Sequence, residues 1–263
     1  MHGTGNDFVV LDGRTHALNM TNELAKRLAD RHFGIGCDQL VVLADSTSAD
    51  VAMRIFNNDG SEISTCGNAT RCVADIVMTQ TGKLEASMET LAGIRTGSRS
   101  LDGAVTVNMG TPKTLWNEIP LVESRNTLHL GIEEGLMRDP VAVNMGNPHA
   151  IFFVRDLHHI KIAEWGAKLE HNPLFPQAAN ISAVQVINES TIKMVVWERG
   201  TGITLACGSA ACAAVVAGVQ REITQRKVNV ELPGGMLSID WTQAGDVLMT
   251  GPVAYVFTGE IEI

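Results

Sequence analysis

Short apolar runs alternate with polar and glycine-rich breaks along the whole chain. Runs at Phe8–Leu11, Gln39–Leu43, Val51–Phe56, Val105–Met109, Ala150–Val154, Val184–Ile187, Ile192–Trp197, Val228–Leu232 and Val247–Thr250 are brief and rich in β-branched residues. Their length and composition predict strands. Pro233-Gly234-Gly235 between two such runs predicts a C-terminal hairpin. Four segments read as helices instead. Thr21–His32 places Leu24, Leu28 and Ala29 on one stripe, with Thr21 or Asn22 as N-cap. Ile160–Leu169 is a second candidate. Asn68–Thr79 and Ser209–Gln220 are small-residue, apolar segments, which predicts helices buried on most sides. Helices interspersed among more numerous strands give an α/β class, in the mixed α+β sense. Thr111-Pro112-Lys113 is the best crossing between halves, giving residues 1–110, with 252–263 expected to return to them, and residues 111–251.

The chain also repeats itself. Under a shift of 141 residues, Met53-Arg-Ile-Phe-Asn57 falls on Met194-Val-Val-Trp-Glu198 and Cys66-Gly67 falls on Cys207-Gly208. The same shift lays Gly5-Asn6 on Gly146-Asn147 and Gln39 on Asn180. One offset aligning several separated polar positions predicts two homologous halves, each with a strand–loop–helix unit and a cysteine at the loop–helix junction. Two such halves facing each other would form a pseudo-two-fold cleft with one thiol on each wall.

Composition narrows the function. Lys and Arg number 20 against 29 Asp and Glu, a net charge of −9, and aromatic residues make up 5% of the chain. Neither suits a nucleic-acid partner. The longest apolar stretches, such as Ala210 to Ala217, are far too short for a membrane span. The start, MHGTGNDF, has neither a basic nor an apolar leader region. With five cysteines, an odd number, reduced thiols in a cytoplasm are expected rather than a disulfide framework.

The chemistry centres on Cys66 and Cys207. A helix N-terminus offers unpaired N–H groups and about half a positive charge, which lowers a thiol's pKa and receives a carboxylate. Two such thiols on opposite sides of a bound amino acid could invert its α-carbon, one removing the proton and the other supplying a new one. Cys37, Cys72 and Cys212 read as buried core residues. The spacings Cys-x5-Cys and Cys-x4-Cys, with no histidine nearby in sequence, are not those of a zinc site, and no metal is expected. The glycines of HGTGND and FGIGCD do not match a dinucleotide fingerprint.

These residues carry a resemblance to a known family. HGTGNDF, RHFGIGCDQ, RIFNNDGSE, CGNATRC, VNMGNPHA, ANISAVQV, ERGTGITLACGSAAC, LPGG and MTGPV span essentially the whole chain. Together they resemble the diaminopimelate epimerases, cofactor-independent amino-acid epimerases of lysine and cell-wall biosynthesis. The resemblance implies two pseudo-symmetric domains, each a curved, mostly antiparallel sheet around a central helix, with a cleft between them that closes on substrate. It implies a catalytic pair at Cys66 and Cys207 and no cofactor. Asn6 and Gln39 match site residues in the first half. Asn57, Asn147, Asn180 and Arg199 match groups that hold the substrate's distal amino and carboxylate ends. His149 and Glu198 match polar residues near the reacting centre. Gly67, Asn68, Gly208 and Ser209 match the helix-start groups that bind the reacting carboxylate. The partner is then a small amino acid, in a homodimeric cytoplasmic enzyme.

The chain departs from the family pattern in four places. The family has several residues before the Met-His-Gly equivalent, where this sequence starts at Met1. CGNGARC reads CGNATRC, the Glu of ERG-x-GET is Ile203, and Cys37 replaces an apolar residue. Two other readings stand beside an epimerase of diaminopimelate. One is a racemase of proline, hydroxyproline or histidine on the same fold, and the other is a non-catalytic thiol- or metal-binding module.

Overall fold

The computed structural model describes residues 1–16 and 18–262. The chain divides into two compact units, Met1–Val107 with Gly251–Ile263, and Asn108–Thr250.

In the first unit the elements run β1 (His2–Gly3), β2 (Asn6–Asp12), α1 (Asn22–Ala29), β3 (Gln39–Ala44), β4 (Val51–Asn57), β5 (Glu62–Ile63), α2 (Gly67–Thr81), β6 (Glu85–Thr90), β7 (Gly93–Arg99) and β8 (Val105–Asn108). The sheet order is β1-β2-β3-β4-β6-β7-β8. β5 shares the outer edge of β4 with β6. β2 and β3 are parallel, joined through α1 as a parallel pair requires, and β4 runs antiparallel to β3. The short β1 pairs with β2 and bridges to Ala254. α1 packs Ala25, Leu28 and Ala29 into a cluster with Leu40, Val42, Phe56 and Cys37. α2 is buried along most of its length, and Gly97 on β7 lets it approach closely. A Cβ at that position would lie 2.6 Å from the Cβ of Ala74.

In the second unit the elements are β9 (Glu133–Glu134), β10 (Met137–Arg138), β11 (Val141–Asn144), β12 (Pro148–Val154), α3 (Ile162–Glu170), β13 (Asn180–Asn188), β14 (Thr191–Glu198), β15 (Gly202–Ile203), α4 (Gly208–Gln220), β16 (Lys227–Leu232), β17 (Gly235–Trp241) and β18 (Val247–Gly251). Its sheet order is β11-β12-β13-β14-β16-β17-β18, with β15 on β14 and a separate β9–β10 ribbon. Phe152, Ile181, Ala183, Leu169 and Phe175 centre its core against α3.

The internal repeat holds at the level of strand register. Phe8 sits opposite Gln39, Leu40 opposite Phe56, and Phe56 opposite Glu62. Shifted by 141 residues these become His149 opposite Asn180, Ile181 opposite Trp197, and Trp197 opposite Ile203. In the later hairpins the shift becomes 142 residues, since Gly97 faces Val107 and Ile239 faces Met249.

The apolar pattern misjudges some boundaries. The first helix stops at Ala29 rather than His32. Asp30 turns extended, and its carboxylate accepts from the backbone N–H of His32 at 2.7 Å and of Phe33 at 2.8 Å. That local alternative outcompetes another helical turn. β6 and β7 escape the apolar-run criterion because EASMET and GIRTGSR carry so many polar residues. β6 nevertheless alternates, with Ala86, Met88 and Thr90 facing inward.

Candidate active site

Parallel β2 and β3 with antiparallel β4 bring Asn6, Gln39 and Asn57 to one end of the first unit's sheet. Asn6 opens β2, Gln39 opens β3, and Asn57 closes β4 directly opposite Gln39. Gln39 Nε2 donates to Asn57 Oδ1 at 3.0 Å, and Asn57 Nδ2 donates to Ser61 Oγ at 3.3 Å. Asn6 Nδ2 donates to Asp38 Oδ2 at 3.0 Å. Its Oδ1 accepts from Asn68 Nδ2 at 3.2 Å and faces the Cys66 thiol at 3.9 Å. Cys66 is the N-cap of α2, extended at φ −146° and ψ 115°, and its side chain makes no capping bond. Gly67 and Asn68 form the first helical positions, with no acidic residue in that turn. The helix therefore sets its positive end beside a thiol.

The second unit repeats the plan with different side chains. Asn147 precedes β12, Asn180 opens β13, and Glu198 closes β14. His149 stands opposite Asn180 and its Nε2 lies 2.8 Å from Asn147 Oδ1. Asn180 is buried, donates to the Pro148 carbonyl at 3.0 Å and accepts from the Arg199 N–H at 3.0 Å. Arg199 Nη1 donates to the Gln177 carbonyl at 2.8 Å, while the Thr204 hydroxyl donates to the Glu198 carboxylate. Cys207 is the N-cap of α4, again without a capping bond, followed by Gly208 and Ser209. Its sulfur lies 3.5 Å from Ser209 Oγ.

Burial reverses the pKa effect expected of a helix start at Cys207. Removal from water, followed by the nearby negative charge of Glu198, pushes this thiol well above its ordinary value. The nearby Ser209 hydroxyl and Ala210 N–H oppose that shift without overcoming it. Cys207 therefore holds its proton at neutral pH. His149 is fully buried, and desolvation with the Arg199 charge holds its pKa down to about 3, so the ring is neutral. Cys37, Cys72 and Cys212 are all buried, and burial pushes Cys37 up to about 11 and Cys72 up to about 12.

Every sequence-predicted site residue of the first half thus gathers at one sheet end and helix start, and those of the second half do the same in their own unit. Sequence reading missed the groups behind them: Asp38 and Arg31 behind Asn6, Ser61 behind Asn57, Thr204 behind Glu198 and Gln177 behind Arg199. Asp38 had a signal, since it directly precedes Gln39 in the glycine-rich GIGCDQ stretch. Arg31, Ser61 and Thr204 fall within blocks that carry the family resemblance, and Gln177 lies outside all of them. Ile203, where the family pattern has Glu, lies on β15 with an exposed side chain. Among the described residues no group of three or more His, Cys, Asp or Glu is placed to hold a metal ion, and no helix is long and apolar enough to cross a membrane.

Two repeated α/β units, each built around a buried helix with a cysteine at its N-cap position, make up this chain, and their fold is shared with solved proteins. A Bacillus anthracis phenazine biosynthesis protein of the PhzF family superposes with a TM-score of 0.70 at 16% identity, covering 100% of this chain and 95% of that one. A hydroxyproline epimerase from Agrobacterium vitis superposes with a TM-score of 0.67 at 14% identity, covering 95% and 86%. At those identities the likeness is one of fold. Sequence goes further: the diaminopimelate epimerase family model matches residues 1–115 and 141–256, and the chain belongs to that family. It is 50% identical to a diaminopimelate epimerase of Rhodospirillum centenum, over 99% of this chain and 90% of the relative. It is 48% identical to one of Acidiphilium cryptum, over 100% and 95%.

Proposed function

We propose that this protein is an isomerase that interconverts LL- and meso-diaminopimelate by acid–base chemistry at the α-carbon. The observation that carries the reading is the repeated pair of cysteine N-caps, in matching strand register, within a chain of this family. One cysteine, as thiolate, takes the α-proton, and the electron pair of the broken C–H bond stays on the substrate as a carbanion. The other, as thiol, delivers its proton to the opposite face. Each turnover leaves the two sulfurs with exchanged protonation, ready for the reverse direction. Helix-start N–H groups at Gly67 and Asn68, and at Gly208 and Ser209, receive the reacting carboxylate and the charge that develops on it. Asn57, Asn147, Asn180 and Arg199 hold the distal end, and Asn6, Gln39, His149 and Glu198 line the reacting region. With Cys207 held as the thiol by burial and Glu198, the resting enzyme presents it as the acid.

A racemase of proline, hydroxyproline or histidine is the weaker reading. Relatives at 48–50% identity are diaminopimelate epimerases, whereas the hydroxyproline epimerase shares 14%. The proposal includes a cytoplasmic setting, which suits five free cysteines. It also includes a homodimer, for which exposed Tyr255, Val256 and Phe257 supply apolar surface of the kind subunit contacts cover. Sedimentation equilibrium returning only monomer would remove that part.

The test of the chemistry is isotopic. In heavy water the reprotonating thiol carries deuterium, while the thiolate holds the protium it has taken. Early in the reaction, label is expected in the epimerised product well ahead of recovered substrate, from either stereoisomer. Equal early labelling of both, or protium carried into product, would reject two separate acid–base groups.

A further inference from the structure

Asn6 is an amide with a choice of two orientations, and its surroundings select one. Its Nδ2 meets Asp38 Oδ2 at 3.0 Å, an acceptor with no hydrogen to give when ionised. The same Asp38 oxygen takes the Asp7 N–H at 3.2 Å. Asp38 Oδ1 is held by Arg31 Nη2 at 2.7 Å, and Arg31 is itself braced against both oxygens of Asp7, at 2.7 and 2.9 Å. With its nitrogen committed to Asp38, Asn6 can offer only its oxygen to Cys66 and Asn68. An amide oxygen accepts from a thiol and repels a thiolate.

We infer that Asp38, locked by Arg31, is a positioning residue that fixes the Asn6 amide with its oxygen toward Cys66 and so biases that sulfur toward the thiol. The inference rests on the acid–base role proposed above for Cys66. Both states of that sulfur are needed in turnover, so the bias sets what share of the resting enzyme carries Cys66 as the thiolate base. The charged groups around this cluster are Asp7 and Asp38 at the strand starts and Arg31 in the loop after α1. On α2, Arg71 and the Cys72 thiol are close, with Asp75 and the Met1 amino group near Cys72. Asp38 bonds the Asn6 side chain directly.

Asp38→Asn tests this with little change of shape. The charged Arg31 contact at 2.7 Å demands an oxygen more strongly than the Asp7 N–H at 3.2 Å on the other side, so the new amide nitrogen falls on the Asn6 side. Asn6 must then turn its oxygen toward position 38 and its N–H toward Cys66, which favours thiolate. Iodoacetamide reacts with thiolate, and peptide mapping at pH 7 without substrate reads each cysteine separately. Cys66 is expected to react about tenfold faster in Asp38→Asn, the equivalent of one pKa unit. Asp38→Ala, which leaves Asn6 unheld but not reversed, should give a smaller increase. Cys37, Cys72 and Cys212 should stay unreactive in both. An unchanged Cys66 rate, an alanine variant as fast as the asparagine one, or a general rise at the buried thiols would overturn the assignment. No turnover is measured, so this result and the heavy-water result fail independently.

Discussion

His149 and Asn147 are joined through the imidazole Nε2 and the amide Oδ1 at 2.8 Å, and the ring is fully buried. An amide oxygen only accepts, so Nε2 carries the proton and Nδ1 is a bare lone pair. That nitrogen is buried with no hydrogen-bond partner among the described residues. A ring so placed takes a second proton only at a cost.

A pH dependence of stability follows. In the unfolded chain the imidazole protonates near pH 6.5, while in the fold burial and Arg199 hold it down to about 3. Between those values the unfolded state binds the extra proton. The contribution of His149 is therefore present above about pH 6.5 and is lost as pH falls, by up to about 1.4 kcal/mol per pH unit. His149→Asn should be less stable than wild type at pH 7 in urea, with the gap narrowing steadily toward pH 5. A constant gap would mean that the folded ring titrates normally.

The two N-cap cysteines should behave alike and unlike the other three. Cys66→Ala and Cys207→Ala are each expected to lose essentially all epimerisation while keeping native circular dichroism, because neither side chain caps its helix. Cys37→Ala should keep its activity and lose a little stability, since it removes a buried atom from the α1 cluster. Most activity surviving in either of the first two would break the pairing.

The features legible in sequence were those that rely on rare residues at fixed spacing. Cysteine followed by glycine marked both helix starts to within a residue, and the amides at positions 6, 39, 147 and 180 marked matching strand ends. β6 and β7 were hidden because Glu, Ser and Thr make up most of the first and Gly, Arg, Ser and Thr most of the second. The charge state of Cys207 was hidden for a different reason. A helix start is visible in sequence, but the burial and the Glu198 carboxylate that outweigh it come from tertiary packing. The Arg31–Asp38–Asn6 chain likewise exists only once the loop after α1 brings Arg31 back to β2.

Gly166 on α3 tests how far packing overrides propensity. A Cβ there would lie 2.6 Å from Trp197 Cβ and 2.9 Å from Cγ. In the first unit the repeat places Ala25 and Phe56 at the equivalent positions, a larger helix residue against a smaller ring, in one cluster. Gly166→Ala gains about 1 kcal/mol of helix propensity but overpacks a ring that also donates to Glu170 at 2.7 Å, which costs about 1–3 kcal/mol. Net destabilisation in chemical denaturation is expected. A more stable single variant would show that α3 shifts freely.

Arg199→Lys addresses the distal end of the substrate. The backbone N–H of Arg199 bonds Asn180, which any residue at the position preserves, while the guanidinium reaches out to the Gln177 carbonyl. Its side chain is exposed, so the substitution should leave the fold intact. In the proposed role the planar guanidinium meets a carboxylate with two parallel N–H groups, a geometry an ammonium cannot reproduce. Losing such a charge-assisted contact costs about 1.5–3 kcal/mol. Catalytic efficiency, kcat/KM for diaminopimelate, should then fall by about 10- to 150-fold at roughly tenfold per 1.4 kcal/mol. Lysine keeps the charge, so the result separates directional hydrogen bonding from simple attraction. A drop of less than threefold would leave Arg199 as a long-range charge only, and an unchanged value with native circular dichroism would take it out of the site.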